Sequence, residues 1–430
     1  MKINTQQLVK VIDFWNKSVE RDKLHDRLAL EKINYESKEI VDLVGPRRSG
    51  KSSILKLIIK RLKLSGNFLY INFEDPFFVA NNDPQIIEEL TAVFKEYFNP
   101  RLEYLFFDEI QEIKQWEKAV RKLRDGEKFK IFITGSSSKL LSGEISSLIT
   151  GRHLSYNIFP LSFSEFIAFR GIKICEKKDI ILKEKKIFKM FDEYLKIGGF
   201  PEAVLTRNPE LLKNYFYDIL QKDIVMRHNI REKEILEKMA VYLLSNSGKI
   251  TSIESLKAAF NISFLAAQSY LEYFKESFLV FELPQFSYSL KKQSKALKKI
   301  YAVDIGLSNA VSFKFSEDRG RMLENAVFFE LKNEEEEIYY YKTKNNLEVD
   351  FLMKEKTKVK KLIQVCWSLE DKKAKERELK SLIAAMDELK LKDGFILTYN
   401  EEDEIRINKK TINVIPVYKW LLKSDYCAII

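Results

Sequence analysis

Cysteine and histidine are nearly absent. Cys175, Cys366, Cys427, His25, His153 and His228 are scattered through 430 residues without a CxxC pair, which argues against a disulfide framework or structural zinc site and fits a reducing interior. With only 14 glycines and 9 prolines against 45% hydrophobic and 32% charged residues, the chain is not low-complexity or disordered. Long apolar runs are missing too. The N-terminal MKINTQQLVKVIDFWNKS lacks the unbroken apolar core of a signal peptide, and no uncharged stretch approaches a membrane span. The expectation is a cytoplasmic protein with no membrane partner, divided into about two to four domains.

Acidic residues fall short of basic ones, leaving a net charge of +10. That excess suits attraction to nucleic acid and equally suits lysines spread over solvated faces. Only the position of the lysines can separate the two.

After an N-terminal helical segment (1–35), residues 36–160 alternate apolar strand runs with amphipathic helices: EIVDLVG, SSILKLIIKRLKL, NFLYINFE, PQIIEELTAVFKEYF, LEYLFFDE, QWEKAVRKLRD and FKIFITGS. This βαβ succession predicts an α/β domain with a parallel sheet covered on both faces. Residues 161–246 carry helical periodicity, broken at IGGFPEA, and read as a helical lid. Residues 247–305 read as helix, turn, helix and two-stranded ribbon, a winged-helix pattern. Residues 318–430 read as αβββαβ, a mixed sheet with a helix on each side.

The chemistry-bearing motif is GPRRSGKSS, in which Gly45, Gly50, Lys51 and Ser52 satisfy GxxxxGK[ST] between a strand and a helix. Such a loop, Gly45, Pro46, Arg47, Arg48, Ser49, Gly50, Lys51, Ser52 and Ser53 here, wraps a phosphate with convergent backbone N–H groups and a helix N-terminus. Lys51 reaches the terminal phosphates and the Ser52 hydroxyl ligates Mg²⁺. One crossover later YLFFDE ends in Asp108, suited to the Mg²⁺ shell, and Glu109, suited to orienting or deprotonating water. The third strand end, ITGSSS, offers Thr134, Ser136 and Ser137 as γ-phosphate sensors, with Ser136 the preferred one. Arg47 and Arg48 suit a phosphate, a partner's acid or solvent alike.

The succession GPRRSGKSS, INFED, LFFDEIQEIKQWEKAVRKLRD, ITGSSSKLL, TGRHLSYNIFPLSFSEF and YLKIGGFPEAV resembles archaeal and bacterial AAA+ ATPases of unknown role that carry a C-terminal nuclease-like domain. The resemblance implies a P-loop AAA+ core, ATP rather than GTP, and hydrolysis; no NKxD-like guanine motif is present. It also implies that Arg152 contacts the γ-phosphate in cis or from a neighbour, and that Gly199 and Pro201 lie against adenine.

In the winged-helix region the second helix opens SFLAAQSYLEY, offering Gln268, Ser269 and Tyr270 but no basic residue before Lys275, a poor instrument for reading base edges. Lys291, Lys292, Lys295, Lys298 and Lys299 could instead neutralise DNA phosphates without reading sequence. The C-terminal region resembles the PD-(D/E)XK, restriction-endonuclease-like fold. By that resemblance Glu324, Asp350 and Gln364 would be the metal ligands. Gln364 stands where an acid is usual and Cys366 where lysine is usual; Lys342, Lys344 and Lys372 are candidates for a lysine supplied from elsewhere. Two roles stay open: an ATPase acting on DNA without sequence specificity, or a nucleotide-gated switch that binds a protein partner and carries a catalytically degenerate nuclease-like domain.

Overall fold

Five runs rich in β-branched and aromatic residues, each followed by a polar turn, become the strands β1 (Ile40–Val44), β2 (Phe68–Asn72), β3 (Tyr104–Asp108), β4 (Lys130–Gly135) and β5 (His153–Asn157). They form one sheet in the order β2-β3-β4-β1-β5 with every pairing parallel. The computed structural model describes residues 4–127, 129–138, 153–312, 319–334 and 337–422. It divides into two units, Met1–Phe159 and Pro160–Ile430.

In the first unit the helices α1 (Thr5–Arg21), α2 (Lys51–Arg61), α3 (Gln85–Tyr97) and α4 (Trp116–Glu127) accompany the sheet. Val41, Leu43, Phe106 and Phe132 of the strands share a core with Ile54, Leu55 and Ile58 of α2 and Val19 of α1. Strand β2 lies at the sheet edge, where an unpaired N–H would invite another chain. Here α1 covers it: the Asn16 side-chain oxygen accepts the Tyr70 N–H at 2.8 Å, and the Trp15 indole donates to Asp75 at 2.9 Å. The N-terminal helix is therefore part of this unit's packing. The polar loops that follow β1, β2, β3 and β4 all leave the carboxyl edge of a parallel sheet, the edge at which such folds bind ligands.

The second unit opens with the helices α5 (Phe163–Phe169), α6 (Glu184–Ile197), α7 (Pro201–Thr206), α8 (Glu210–Asp218) and α9 (Lys233–Ser245). Helix α5 begins in a capping box between Ser162 and Glu165. Next come β6 (Lys249–Thr251), α10 (Ile253–Phe260), α11 (Phe264–Glu276), β7 (Val280–Leu283), the short α12 (Leu290–Lys295) and β8 (Lys298–Ala302). The strands make a small antiparallel sheet in the order β6-β8-β7.

After α13 (Ile305–Val311) and α14 (Arg319–Asn333) lie β9 (Glu337–Lys342), β10 (Glu348–Glu355), β11 (Lys358–Val365), α15 (Lys372–Leu389), β12 (Asp393–Thr398), β13 (Asp403–Ile407), β14 (Lys410–Pro416) and α16 (Val417–Leu421). The six strands form one mixed sheet, β13-β14-β12-β11-β10-β9. Leu382, Ala385 and Met386 of α15 pack on Val349, Leu352, Leu362 and Val414. Leu323, Val327 and Leu331 of α14 share a core with Phe351, Met353, Ile363 and Val365. The expected αβββαβ order is incomplete. Residues 403–416 add a hairpin, because EIRI and TINVI each alternate and Asn408 and Lys409 both take left-handed backbone, as a tight hairpin turn requires.

One buried charge in the first sheet has a thermodynamic consequence. Asp42 lies mid-strand in β1, 2% exposed, with the Ser155 hydroxyl 2.6 and 2.7 Å from its two carboxylate oxygens. Burial outweighs that hydroxyl and the nearby His153, pushing the carboxyl up to about 6. A carboxyl whose folded value lies above its unfolded one adds stability that is full below about pH 4 and is lost as pH rises through about 6. Urea titrations of wild type and Asp42→Asn between pH 4 and 8 should therefore differ by a pH-dependent component on the order of 2 kcal/mol, confined to that window.

Candidate functional site: the phosphate loop and its acids

The loop from Gly45 to Gly50 turns directly from β1 into α2, and its geometry dictates its glycines. A Cβ on Gly45 would stand 2.0 Å from the Ile158 carbonyl oxygen, so the loop can lie against the strand end only without a side chain there. Gly50 (φ 98°) takes the left-handed turn into α2, and Arg48 (φ 68°) adopts left-handed backbone although it is not glycine. Such strain collects at ligand sites. Arg48 is exposed, whereas Arg47 is buried and ion-paired with Glu74 just beyond β2.

Lys51, 3% exposed, is folded back into the loop, donating to the Gly45 and Pro46 carbonyls at 3.1 Å each with its ammonium 3.4 Å from Glu109 Oε1. An ammonium held among backbone dipoles at a helix N-terminus makes the loop a site for anionic phosphate. Ser52 and Ser53 follow in the first turn of α2, both half-buried.

Asp108 closes β3 and is wholly buried. Its Oδ1 accepts from the Thr134 hydroxyl at 2.6 Å, and its Oδ2 accepts from the Tyr70 hydroxyl at 3.0 Å and the Asn72 amide at 3.1 Å. Burial and then the charge of Glu109 raise its carboxyl above the ordinary value, while hydrogen bonds from Thr134 and Ser52 pull the other way. The Ser52–Asp108 contact joins the two oxygens expected to flank a magnesium ion, a hard oxygen pair suited to it. Glu109 (φ 51°) is a second left-handed non-glycine residue. Its N–H donates to Thr134 Oγ1 at 2.8 Å and its Oε2 accepts from Gln111 at 2.6 Å. Burial pushes its carboxyl up, but Lys51 and then Arg47 outweigh burial and leave it below its ordinary value. The two neighbouring acids are thus shifted in opposite directions.

Of the sequence-predicted residues, Gly45, Gly50, Lys51, Ser52, Asp108 and Glu109 converge. Ser136 and Ser137 are buried at the end of β4, but the hydroxyl bridging both acids is Thr134. Arg152 lies outside the described residues. Gly199 and Pro201 belong to the second unit. The Gly199 N–H donates to Asp304 at 2.7 Å, its carbonyl accepts from Leu161 N–H at 2.7 Å, and Pro201 opens α7. Sequence reading missed Arg27, Tyr70, Asn72, Glu74 and Gln111. Arg27 is the most consequential: its buried guanidinium donates to the Ser49 carbonyl at 2.8 Å and the Phe159 carbonyl at 2.9 Å. Nothing in its neighbourhood, KLHDRLAL, signals that reach.

A second cluster of titratable groups lies in the other unit. Lys299 on β8 reaches Glu324 on α14 at 2.9 Å, and Glu348 and Asp350 on β10 at 2.8 and 3.0 Å. Tyr301, two residues on and so on the same face of β8, donates to Glu324 at 2.6 Å. Gln364 donates to Glu378 at 2.6 Å and accepts from the Asp350 N–H at 3.3 Å. Burial and then Asp350 raise the Glu324 carboxyl to about 7, and burial raises the Cys366 thiol to about 12. Lys299 therefore leaves the set of five lysines expected to face phosphate. Lys298 is paired with Glu282 at 2.7 Å, so Lys291, Lys292 and Lys295 are the three that stay exposed. Tyr270, offered for base contact, is buried at 7%.

Residues 37–167 match the AAA domain family, and residues 188–318 and 319–420 each match a domain of unknown function. An uncharacterized protein of Methanocaldococcus jannaschii is 40% identical over 399 residues, covering 88% of this chain and 87% of that one. An uncharacterized protein of Haemophilus influenzae is 28% identical, covering 91% and 96%. Among solved structures, C. elegans PCH-2 overlaps 49% of this chain and 63% of its own at 12% identity and a TM-score of 0.30, a likeness too slight to carry an argument.

Because Arg27 holds the loop from behind, Arg27→Ala should weaken nucleotide binding about tenfold, the loss of one charge-assisted hydrogen bond's worth of loop order. Titration with a fluorescent ATP analogue, beside circular dichroism to verify folding, measures it; unchanged affinity would remove Arg27 from the site.

Proposed function

We propose that this chain, which belongs to one family with its 40% identical archaeal relative and matches the AAA domain family over residues 37–167, binds ATP with Mg²⁺ at residues 45–52 and hydrolyses it. The carrying observation is the chain of contacts Lys51–Glu109–Thr134–Asp108 at the carboxyl edge of the parallel sheet. On binding, Lys51 exchanges the Gly45 and Pro46 carbonyls for β- and γ-phosphate oxygens. Ser52 and Asp108 hold the Mg²⁺ shell, in which Asp108 works as the anion. When bound, magnesium neutralises charge that develops on the phosphate oxygens. Glu109, kept ionised by Lys51 and Arg47, orients a water and takes its proton. Ser136 or Thr134 reports the γ-phosphate, and Arg152 belongs to the same reading as an arginine contact to it.

Nucleotide state is proposed to reposition the second unit. The support is local to the first: Arg27 ties Ser49 of the phosphate loop to Phe159, the last residue before the chain passes to Pro160, and Ile158 N–H donates to Val44 at 2.7 Å. When Lys51 leaves the Gly45 and Pro46 carbonyls for phosphate, the change is therefore felt along the Arg27 tie at the point of exit.

For the second unit, the order α9-β6-α10-α11-β7-α12-β8 supports a winged-helix reading, and α14 with the mixed sheet supports a nuclease-like one. Lys291, Lys292 and Lys295 favour weak DNA binding without sequence readout. The competing reading, a nucleotide-gated switch that meets a protein, is favoured by α11: its first turn exposes Phe264 and Leu265 (43% and 72%), side chains better suited to an apolar partner surface than to base edges.

Two measurements test these statements. In a coupled ATPase assay Lys51→Ala should lose ATP binding, while Glu109→Gln should bind ATP yet turn over about 100-fold more slowly; calorimetry that detects no ATP uptake by the folded wild type sinks the reading. For DNA, fluorescence anisotropy with duplex should give an affinity falling as about the third power of salt concentration, abolished in Lys291→Ala/Lys292→Ala/Lys295→Ala. DNA-independent turnover with no such binding would select the switch.

A further inference from the structure

A nuclease-like sheet implies a divalent metal between a helix carboxylate and a strand carboxylate, here Glu324 and Asp350. The residues present do not fit that metal. The space between the two carboxylates is taken by the Lys299 ammonium, 2.9 Å from one and 3.0 Å from the other. It donates to both, and Glu348 stands beside it as a third carboxylate, ion-paired at 2.8 Å. Asp350 Oδ2 accepts the Val365 N–H at 2.9 Å, and the Glu324 Oε1 that meets Lys299 also accepts from Tyr301. Gln364, the third expected ligand, is turned to Glu378 and to the Asp350 N–H.

The backbone is built for this arrangement. Val349 and Leu352 both face the α15 core, whereas Phe351 and Met353 belong to the α14 core. Strict alternation would put Val349 with Phe351. The pairing of β10 with β9 slips between Val349 and Leu352, and this bulge lets Asp350 and Phe351 both serve the α14 side, Asp350 meeting Lys299 and Phe351 lying 5.9 Å from the Tyr301 ring. On β8, Lys299 and Tyr301 share the facing side. Tyr301 stacks on Phe328 of α14 at 4.1 Å and 5°, so the strand that brings the ammonium is itself fixed. At the rim, Lys342 stands 3.9 Å from Glu348.

We propose that Lys299 is the resident cation of the Glu324–Glu348–Asp350 cluster, standing where a divalent metal would sit and fastening the small antiparallel sheet to the C-terminal sheet, so that the C-terminal domain performs no metal-dependent phosphodiester cleavage. A buried ammonium among three carboxylates does not leave for a solvated divalent ion, because vacating the cluster would leave like charges facing one another without compensation. The statement stands apart from the nucleotide reading: ATP uptake can succeed or fail without touching it.

The test is a Mn²⁺ titration of the nucleotide-free full chain, with free Mn²⁺ followed by electron paramagnetic resonance, on wild type, Asp350→Asn, Lys299→Ala, Lys299→Arg and Lys299→Ala/Asp350→Asn. Expected is the same uptake in wild type, Asp350→Asn and Lys299→Arg. Lys299→Ala should gain one further equivalent, lost again in the double variant, and a lowered melting temperature that Mn²⁺ partly restores. Wild-type uptake that Asp350→Asn removes would overturn the proposal, as would Mn²⁺-dependent cutting of labelled DNA lost in Asp350→Asn. A folded Lys299→Ala that gains no metal would overturn it too. If Lys299→Ala does not fold, the wild-type and Asp350→Asn comparison, in uptake and in DNA cutting, decides the matter alone.

Discussion

The first unit depends on how closely its phosphate loop can lie against the strand β5 and the residues that follow it. Gly45 has no room for a methyl group beside the Ile158 carbonyl, and Arg27 spans from Ser49 to Phe159. These two contacts fix the path of the loop from opposite sides, one by exclusion and one by attraction. The left-handed turns at Arg48 and Gly50 follow from that path, and so does the placement of Lys51 with its ammonium against two carbonyls and within reach of Glu109. The loop is thus shaped by its surroundings before any phosphate arrives, which is the condition for binding without a large ordering cost.

The two acids at the end of β3 illustrate how neighbours with the same chemistry are driven apart. Asp108 faces hydroxyls and an amide in a dry setting and rises; Glu109 faces Lys51 and Arg47 and falls. Thr134 links them, accepting from one backbone and donating to the other side chain. The same logic recurs in the second unit with a different outcome. There a single lysine meets three carboxylates, whereas Lys51 meets one carboxylate and two carbonyls.

Legibility in the sequence followed the distance over which each contact is made. The phosphate loop was readable because GPRRSGKSS is contiguous and flanked by its strand and helix, and Asp108 and Glu109 because an apolar strand delivers them. Arg27 was not readable, since its partners lie 22 and 132 residues away. Lys299 was misread for a related reason. Within KKQSKALKK it looks like its neighbours, and only the alternation of β8, pairing it with Tyr301 on the inner face, separates it from Lys291, Lys292 and Lys295. The hairpin at 403–416 has a visible alternation, but the αβββαβ pattern holds no place for it; its second strand ends at Pro416, directly before α16 begins.

The slip in β10 carries a further consequence for how this domain tolerates change over time. Side chains along that strand can be exchanged one at a time, each exchange felt only where it packs. The count of residues between Val349 and Leu352 cannot be altered in the same way. Deleting one would restore strict alternation and leave a single position on the α14 side where Asp350 and Phe351 now both lie, so that either Lys299 loses a carboxylate or Tyr301 loses a ring beside it. Homologous chains should therefore drift in spelling through this stretch while keeping its length.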